Sequence, residues 1–492
     1  MLVIVLRSVL FIACLLLSSC KPLQILQQSS YRASEFLLSY KNKPIYSIFS
    51  VSFFALGIIA VFVNIWLACG FSVIYSVVSI VFYRKNLKKP IVFTKRVVRL
   101  LIAYAVFVIA FAIIQIFIIQ VYALVFCSVL ILLFANFVCK PIEKRIAQGF
   151  LIRAEDKIRR INPTVIAITG SYGKTSLKNI LAQILSTQYK VCASPKSYNT
   201  PMGLARCINE NLKDGDRIFI AEAGARYRGD IGEICSFLNP KIAVITAIGN
   251  QHLSTFKTLK NLQNEKFSII TDSVESVFIN GDTVKDILPI PKDKLVTVSG
   301  KNGTVKYDEV YIENEKQKFV VYAKNTYTIK CSLLADYMPS TITLALAIAE
   351  SLGISQKNIK NSINNLKPIA HRLEILYNDK DVIIDDAYNS NESGFISAIN
   401  LVSSYKNKIK IVITPGVVEL GKRQSEINMR LASYAYDRVD YLFTYGINAE
   451  AIKRGAGDKC EICSSLDECM KRYKSIQGER AVLFENDLPD TY

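Results

Sequence analysis

Long apolar runs fill the first part of the chain, whereas short apolar runs alternate with helical patterns in the rest. Leu2–Ser19 is a short apolar stretch, and Tyr46–Tyr83 and Val97–Val138 are almost free of charge. Each of the two longer runs approaches ~40 residues, about twice the ~20 that cross a bilayer as one helix. The pattern therefore predicts a helical hairpin in each, with turns near Asn64–Gly70 and Gln115–Gln120.

The charge of the chain is strongly basic and is placed beside these runs. Lys plus Arg number 60 against 41 for Asp plus Glu, a formal net charge of +19. Basic residues cluster at 84–99 and 140–160, on both sides of the second run. This is the positive-inside pattern of membrane proteins rather than a nucleic-acid stripe. It predicts a membrane region over residues 1–145, no nucleic-acid partner, and soluble domains on the cytoplasmic side.

A phosphate-binding loop opens the soluble part. Thr164–Thr169 is a β-branched apolar run typical of a buried strand, and it leads into Gly170-Ser-Tyr-Gly173-Lys174-Thr175-Ser176 and a helical pattern. Strand, glycine loop and helix in this order place backbone N–H groups around phosphates, with a lysine charge and a hydroxyl for magnesium. The full P-loop pattern requires glycine at the position of Ile168. The string alone is therefore as compatible with an ordinary strand-to-helix turn as with a phosphate loop.

The N-terminal stretch is typical of a signal peptide or a signal anchor, with Arg7 near its start. The string that ends at Cys20 is similar to a bacterial lipobox, but a lipoprotein would carry the phosphate loop to a compartment without ATP. We therefore interpret residues 2–19 as a membrane anchor. The polar segment Leu23–Lys43 is interpreted as an interfacial helix.

From about Asn162 to its end the chain resembles the Mur ligase family. The phosphate loop has that family's shorter glycine spacing. Further strings that resemble family motifs are Ser197–Gly203, Ile220–Ala225, Val244–Leu253, Ala370–Glu374, Ile384–Asn391 and Thr414–Gly421. Within the family the resemblance is strongest to the branch that adds D-alanyl-D-alanine, and the Asp-Asp-x-Tyr-Asn-x-Asn string at 385–391 is its most specific piece.

The resemblance implies a site with ATP and two magnesium ions. The residues implied to bind ATP are Gly170, Ser171, Gly173, Lys174, Thr175, Ser176, Arg372, Asp386, Tyr388 and Asn389. The residues implied to hold magnesium are Thr175, Glu222, His252 and Lys266, the last as a carbamylated lysine. Lys174, Glu222, His252 and Lys266 are the implied catalytic set, and Asn199 and Thr200 belong to the implied substrate loop.

Two departures from the family pattern bear on function. Ala247 stands where many members have asparagine, so one local contact must differ. The soluble members also carry an N-terminal domain that binds a UDP-sugar, and the segment between the membrane region and Thr164 is too short for one. We interpret the helical membrane region as a substitute for this domain, which favours a lipid-linked acceptor over a soluble UDP-linked one.

The expected fold is α/β: an N-terminal helical transmembrane region, a central P-loop-type ATPase domain at 160–368 and a Rossmann-like domain at 369–492. The expected activity is ATP-dependent ligation of a carboxylate to the amine of an amino acid or dipeptide, through an acyl phosphate, in peptidoglycan precursor synthesis at the bacterial inner membrane. Alternatives are a Mur-type ligase acting on another lipid-linked or polymer acceptor, and a non-catalytic membrane scaffold that binds nucleotide.

The cysteines predict no metal site. Cys460 and Cys463 form a Cys-x-x-Cys with Cys469 nearby, but a structural zinc site needs four ligands and the sequence has no second Cys-x-x-Cys. We interpret these residues as ordinary thiols of a reducing compartment.

Overall fold

The computed structural model describes residues 1–41, 44–85, 90–195, 198–249, 253–284, 289–313, 315–378, 380–387, 391–418 and 420–486. The chain forms two compact units, one built on Met1–Gln148 and the other on Gly149–Leu488. Each is described by itself.

The first unit is helical. Its helices are α1 (Leu2–Ser18), α2 (Cys20–Gln28), α3 (Ala33–Lys41), α4 (Pro44–Val63), α5 (Ile65–Lys85), α6 (Lys95–Phe117), a 3-10 helix (Ile119–Cys127) and the part of α7 (Ser128–Ile161) before Gly149. The segment predicted as one interfacial helix is thus divided between α2 and α3. Helix α7 continues beyond the apolar run through a charged segment, because Lys, Arg and Glu are good helix formers.

Both long apolar runs reverse direction in the structure. The Phe49 ring lies 5.6 Å from Phe82, and Phe53 lies 6.1 Å from Phe71, so α4 and α5 are antiparallel about a break at Asn64. In the second run, Arg99 Nε lies 2.6 Å from Glu143 Oε1, and the Phe107 and Phe134 rings are 5.1 Å apart. The α6 and α7 segments are therefore also antiparallel, with the 3-10 helix at the reversal.

Helix α1 runs antiparallel to α6. Arg7 Nη2 donates to the Gln115 carbonyl at 3.1 Å, and the Tyr104 hydroxyl donates to the Leu15 carbonyl at 3.2 Å. The start of α1 therefore lies at the end of the bundle opposite the basic first turn of α6. By length and composition, four helical segments of the described chain are able to cross a membrane: Leu2–Gln28, Ile65–Arg84, Lys95–Phe117 and Ile119–Ile161. A shorter apolar helix covers Ser47–Val63.

The second unit holds two sheets with helices between their strands, which confirms the mixed α/β class. The first sheet contains β1 (Thr164–Thr169), β2 (Val191–Ala193), β3 (Ile218–Glu222), β4 (Ile242–Ile245), β5 (Ser276–Asn280), β6 (Leu295–Ser299), β7 (Val305–Glu313), β8 (Lys316–Tyr322) and β9 (Thr326–Cys331). Its order is β2-β3-β1-β4-β5-β6-β7-β8-β9, parallel except for the β7-β8-β9 meander.

The second sheet contains β10 (Glu374–Asn378), β11 (Asp381–Asp386), β12 (Ile409–Thr414), β13 (Tyr441–Thr444), β14 (Cys460–Ile462) and β15 (Arg480–Glu485). Its order is β10-β11-β15-β12-β13-β14, and β10 is its antiparallel strand. The helices of this unit are α8 (Lys174–Leu185), α9 (Pro201–Asn211), α10 (Asp230–Leu238), α11 (Leu253–Phe256), α12 (Leu259–Phe267), α13 (Met338–Ser351), α14 (Gln356–Asn364), α15 (Glu392–Ser403), α16 (Gln424–Tyr436), α17 (Ala449–Ala456) and α18 (Leu466–Ser475).

Strand β1 occupies the middle of the first sheet and is buried on both faces. Ile166 and Ile168 pack in one apolar cluster with Leu177 and Leu181 of α8, while Val165 belongs to the cluster on the other face. A parallel strand covered on both faces needs a continuous apolar run, which is the pattern that predicted it. Its carboxyl end delivers the phosphate loop to the edge of the sheet where ligands bind in open α/β folds.

Candidate active site

The loop between β1 and α8 has the backbone of a phosphate cradle. Gly170 and Gly173 have φ of +150° and +82°, values that side chains rarely adopt. A Cβ at Gly170 would lie 2.1 Å from Thr246 Oγ1. Lys174 begins α8, and its Nζ donates to the Gly170 and Ser171 carbonyls at 2.6 and 3.3 Å. The loop thus presents a helix N-terminus and a lysine that is folded back over its own backbone.

The loop rests on the segment that follows β4. Ser171 N–H donates to the Ala247 carbonyl at 2.7 Å, and Thr246 Oγ1 donates to the Tyr172 carbonyl at 2.5 Å. Ser171 Oγ contacts both the N–H and the carbonyl of Gly249. Ala247 therefore supports the loop through its backbone carbonyl, and its methyl group is buried.

Gly170→Ala is expected to weaken ATP binding at least about tenfold, a cost of ~1.4 kcal/mol or more, because the new Cβ would displace Thr246 and strain the loop. Binding of a fluorescent ATP analogue measures the loss. Gly215→Ala is the matched control: it also has a positive φ, of +91°, but its Cβ would meet only Lys190 Nζ at 3.8 Å. This variant should lose some stability and keep its ATP affinity. Equal affinities of the two variants would contradict the role of Gly170.

Glu222 lies at the carboxyl end of β3 beside the phosphate loop. Its Oε2 accepts from Thr175 Oγ1 at 3.1 Å, and its Oε1 lies 2.7 Å from Lys178 Nζ. The Glu222 and Lys178 side chains are 1% and 3% exposed, so the ion pair is fully enclosed. Removing one partner of a buried ion pair lowers the free energy of unfolding by about 3–5 kcal/mol. The Glu222–Lys178 pair is therefore expected to stabilise the folded domain.

The Thr175 hydroxyl and the Glu222 carboxylate fit magnesium. Both are hard oxygen donors, and Mg²⁺ in nucleotide sites takes one or two carboxylates and completes its shell with phosphates and water. Within the described residues, no group of three or more His, Cys, Asp or Glu side chains is placed to hold a metal. A magnesium ion here would therefore depend on nucleotide oxygens for much of its coordination.

Lys266 is buried near the end of α12, with 2% of its surface exposed. Burial, and after it the positive charge of Lys174, lowers the pKa of Lys266 to about 7. The pKa of Lys174 is lowered to about 8, mainly by burial, and the charge of Arg372 adds to this while Glu222 opposes it. Lys266 and Lys174 therefore share one region in which desolvation favours the neutral amine over the ammonium ion.

The segment before β10 brings a second set of residues to the loop. Leu373 N–H donates to Asp386 Oδ1 at 3.2 Å, and His371 Nδ1 lies 2.8 Å from Asp385 Oδ2. Burial raises the pKa of Asp386 to about 6, and the charge of Arg372 opposes the shift. The Arg372 charge acts on both Lys174 and Asp386, so the segment before β10 lies within electrostatic range of the phosphate loop.

The predicted substrate loop lies beside the strand end that carries Glu222. Gly224 N–H donates to the Asn199 carbonyl at 2.9 Å, and a Cβ at Gly224 would lie 2.8 Å from Asn199 Cγ. The Thr200 hydroxyl accepts from Gly203 N–H at 3.2 Å as the N-cap of α9. Asn199 thus adjoins the site, whereas the described contact of Thr200 is a helix cap.

Three of the predicted site residues, His252, Tyr388 and Asn389, lie outside the described residues. Two contacts near the site were not predicted from the sequence. Lys178 pairs with Glu222, and Ser393 at the start of α15 lies close enough to the Tyr172 hydroxyl to oppose the rise that burial causes in the pKa of Tyr172. Lys178 stands one helical turn after Lys174, so the sequence places both lysines on one face of α8 but does not indicate the pairing with Glu222.

Comparison with known proteins identifies the family to which this site is related. Residues 168–349 match the Mur ligase middle domain. The UDP-N-acetylmuramoyl-tripeptide--D-alanyl-D-alanine ligase of Bacillus subtilis is 26% identical over 315 residues, which cover 62% of this chain and 67% of the relative. The predicted resemblance to Mur ligases is thereby confirmed.

Solved structures show the same fold. MurF from Acinetobacter baumannii superposes with a TM-score of 0.63 at 20% identity, over 70% of this chain and 78% of that protein. MurF from Thermotoga maritima in complex with ADP has a TM-score of 0.61 at 21% identity, over 69% of this chain and 80% of that one.

Proposed function

We propose that this chain, a Mur ligase by its middle domain and its relatives, is an ATP-dependent carboxylate–amine ligase of peptidoglycan precursor synthesis that adds D-alanyl-D-alanine. The observation that carries the proposal is the grouping of Lys174, Thr175, Glu222 and Lys266 at the carboxyl edge of the first sheet. The Arg372 charge reaches the same place from the segment before the second sheet.

The reaction is a two-step condensation. A carboxylate oxygen of the acceptor attacks the γ-phosphorus of ATP, the bond to the β-phosphate oxygen breaks, and ADP leaves. The amine then attacks the carbonyl carbon of the acyl phosphate, phosphate leaves, and the amine gives up a proton to form the amide. Activation is needed because a carboxylate is a poor electrophile at neutral pH.

The chain's own residues supply charge and position. The loop amides and Lys174, once it turns from its backbone contacts to the phosphates, would stabilise the phosphoryl group in transfer. Thr175 and Glu222 would hold one magnesium ion, and His252 and Lys266 a second. Magnesium would supply Lewis-acid stabilisation of the phosphate oxygens. Arg372 and Asp386, with Tyr388 and Asn389, would bind nucleotide when the two sheets close around it.

Lys266 would act as a carbamate. A charged ammonium buried near Lys174 is electrostatically unfavourable, and two divalent cations would make it more so. The neutral amine nitrogen forms a bond to the carbon of carbon dioxide and releases one proton to solvent, which replaces the cation by a carboxylate-like anion that can bind magnesium. The burial of Lys266 and its position near Lys174 support this modification.

The proposed acceptor is a UDP-N-acetylmuramoyl peptide, as the name of the Bacillus subtilis relative indicates. Asn199 adjoins the Glu222 strand end and would contact this acceptor. A lipid-linked peptide is the alternative to which the helical unit draws attention, but the relatives' names do not support it.

The decisive assay uses the full-length protein with ATP, Mg²⁺ and bicarbonate, with UDP-linked and lipid-linked peptide acceptors side by side. Phosphate release that requires both the acceptor and D-alanyl-D-alanine, with the ligated peptide seen by mass spectrometry, is the expected result. Nucleotide binding without phosphate release on any acceptor would favour a non-catalytic scaffold. Phosphate release that requires a different amine would support the ligase function and replace D-alanyl-D-alanine as the proposed amine substrate.

We further propose that the chain resides in the bacterial inner membrane with its α/β unit in the cytoplasm. A reporter fused after Tyr492 should give a cytoplasmic signal, because the basic segments at 84–99 and 140–160 favour that side. A reporter before Met1 should give the opposite signal, because α1 starts at the far end of the bundle from Lys95–Arg99. Two cytoplasmic signals would contradict the orientation of α1, and a periplasmic signal after Tyr492 would contradict the use of ATP.

A further inference from the structure

Lys178 makes contacts that reach beyond its own helix. Its Nζ lies 2.7 Å from Glu222 Oε1 and donates to the Ser194 carbonyl at 2.6 Å. Glu222 N–H in turn contacts Ser194 Oγ at 3.4 Å. One ammonium group therefore joins α8, the end of β3 and the residue that follows β2.

The two oxygens of the Glu222 carboxylate have different partners. Oε1 faces Lys178, while Oε2 faces the Thr175 hydroxyl. The ion pair at Oε1 favours the carboxylate orientation that leaves Oε2 on the side of the proposed magnesium ion. Replacing a buried ion pair by apolar residues of similar size is often neutral or stabilising, so stability alone does not account for a lysine here.

We propose that Lys178 is a positioning residue: it orients the Glu222 carboxylate toward a magnesium ion and connects Glu222 to the substrate loop. The inference rests on the proposed function and deepens it. The link to the loop runs through Ser194, whose N–H donates to the Ile220 carbonyl at 2.9 Å and which precedes Asn199 by five positions. Metal binding and acceptor binding would thus both depend on the contacts of Lys178.

The test measures ADP binding by full-length protein without acceptor or amine. Titration calorimetry gives the ADP affinity in EDTA and at increasing Mg²⁺. The ADP affinity of K178M in EDTA should match that of wild type. The Mg²⁺ concentration that gives half of the increase in ADP affinity should rise about tenfold or more, as is usual when a partner that orients a metal ligand is lost. K157M is the control, because Lys157 Nζ also donates to a backbone carbonyl, that of Asn209, at 2.9 Å in a part-buried contact. Its Mg²⁺ requirement should stay at the wild-type value.

An unchanged or lower Mg²⁺ requirement in K178M overturns the proposal. Removing a cation beside a metal carboxylate would by itself favour Mg²⁺, so a lower requirement is the result expected of a simple counter-ion. If K178M does not fold, K178R carries the test: its larger planar group keeps the charge but not both contacts, and the requirement should still rise. If wild-type protein binds ADP more tightly with Mg²⁺ but ligates no acceptor, the proposed ligase function is refuted. The effect of K178M on the Mg²⁺ requirement still tests the role of Lys178. If Mg²⁺ does not raise the ADP affinity of wild-type protein, both the proposed ligase function and the role of Lys178 are refuted.

Discussion

Lys174→Ala is expected to reduce ATP-dependent ligation by about 100- to 1,000-fold or more, the usual cost of losing a group that stabilises transition-state charge. The fold should not suffer. Lys174 is half-buried and desolvation lowers its pKa to about 8, so protonation costs the folded state at every pH below the ordinary lysine range. That cost is fully present below about pH 8 and disappears with the substitution. The melting temperature should therefore equal or exceed that of the wild type, while phosphate release is lost.

The matched control is Lys241→Ala, which removes an exposed ion pair with Glu275 away from the phosphate loop. Exposed pairs contribute about 0–1 kcal/mol, so both rate and melting temperature should stay near wild type. Lys174→Ala that keeps more than about a tenth of the rate would contradict the charge-stabilising role. A melting temperature that falls with the rate would instead indicate a structural role for Lys174.

The elements that could be predicted from the sequence are those whose local pattern has one physical solution. The run Thr164–Thr169 is apolar and β-branched without interruption, and a strand buried on both faces is its structure here. The reversal near Asn64 follows from the length of the apolar run. The division of residues 23–43 into α2 and α3 was not predicted, because packing within the helical unit determines where a short polar helix breaks.

The candidate site was predictable where a motif is contiguous and was missed where the contact joins distant strands. Gly170, Lys174 and Thr175 lie within a few positions of one another, so their grouping follows from the loop. Pairing of Lys178 with Glu222 depends on the order of β2, β3 and β1, which the sequence does not state. The same holds for the support of Ser171 by the Ala247 carbonyl.

Lys266→Ala should be nearly inactive, with a loss of about 100-fold or more, because it removes a proposed magnesium ligand. Lys260→Ala, an exposed lysine on the same helix α12, is the control and should keep the wild-type rate. Lys266→Arg should resemble the alanine variant, since a guanidinium stays cationic and cannot form a carbamate. Arginine activity equal to wild type would show that the carbamate is not required.

Chemical rescue separates the carbamate from an ordinary structural lysine. The group missing from Lys266→Ala is an anion on a stem, so added formate or acetate should restore part of the rate, whereas chloride at the same ionic strength should not. In the wild type, the pKa of Lys266 is lowered to about 7, so the neutral amine that reacts with carbon dioxide becomes the major form as pH rises through about 7. Wild-type protein stripped of bicarbonate at low pH should therefore regain activity on adding bicarbonate, and regain it more fully at pH 8 than at pH 6. If carboxylates fail to rescue the alanine variant and bicarbonate has no effect on the stripped enzyme, Lys266 acts as an unmodified amine and the second magnesium ion needs another ligand.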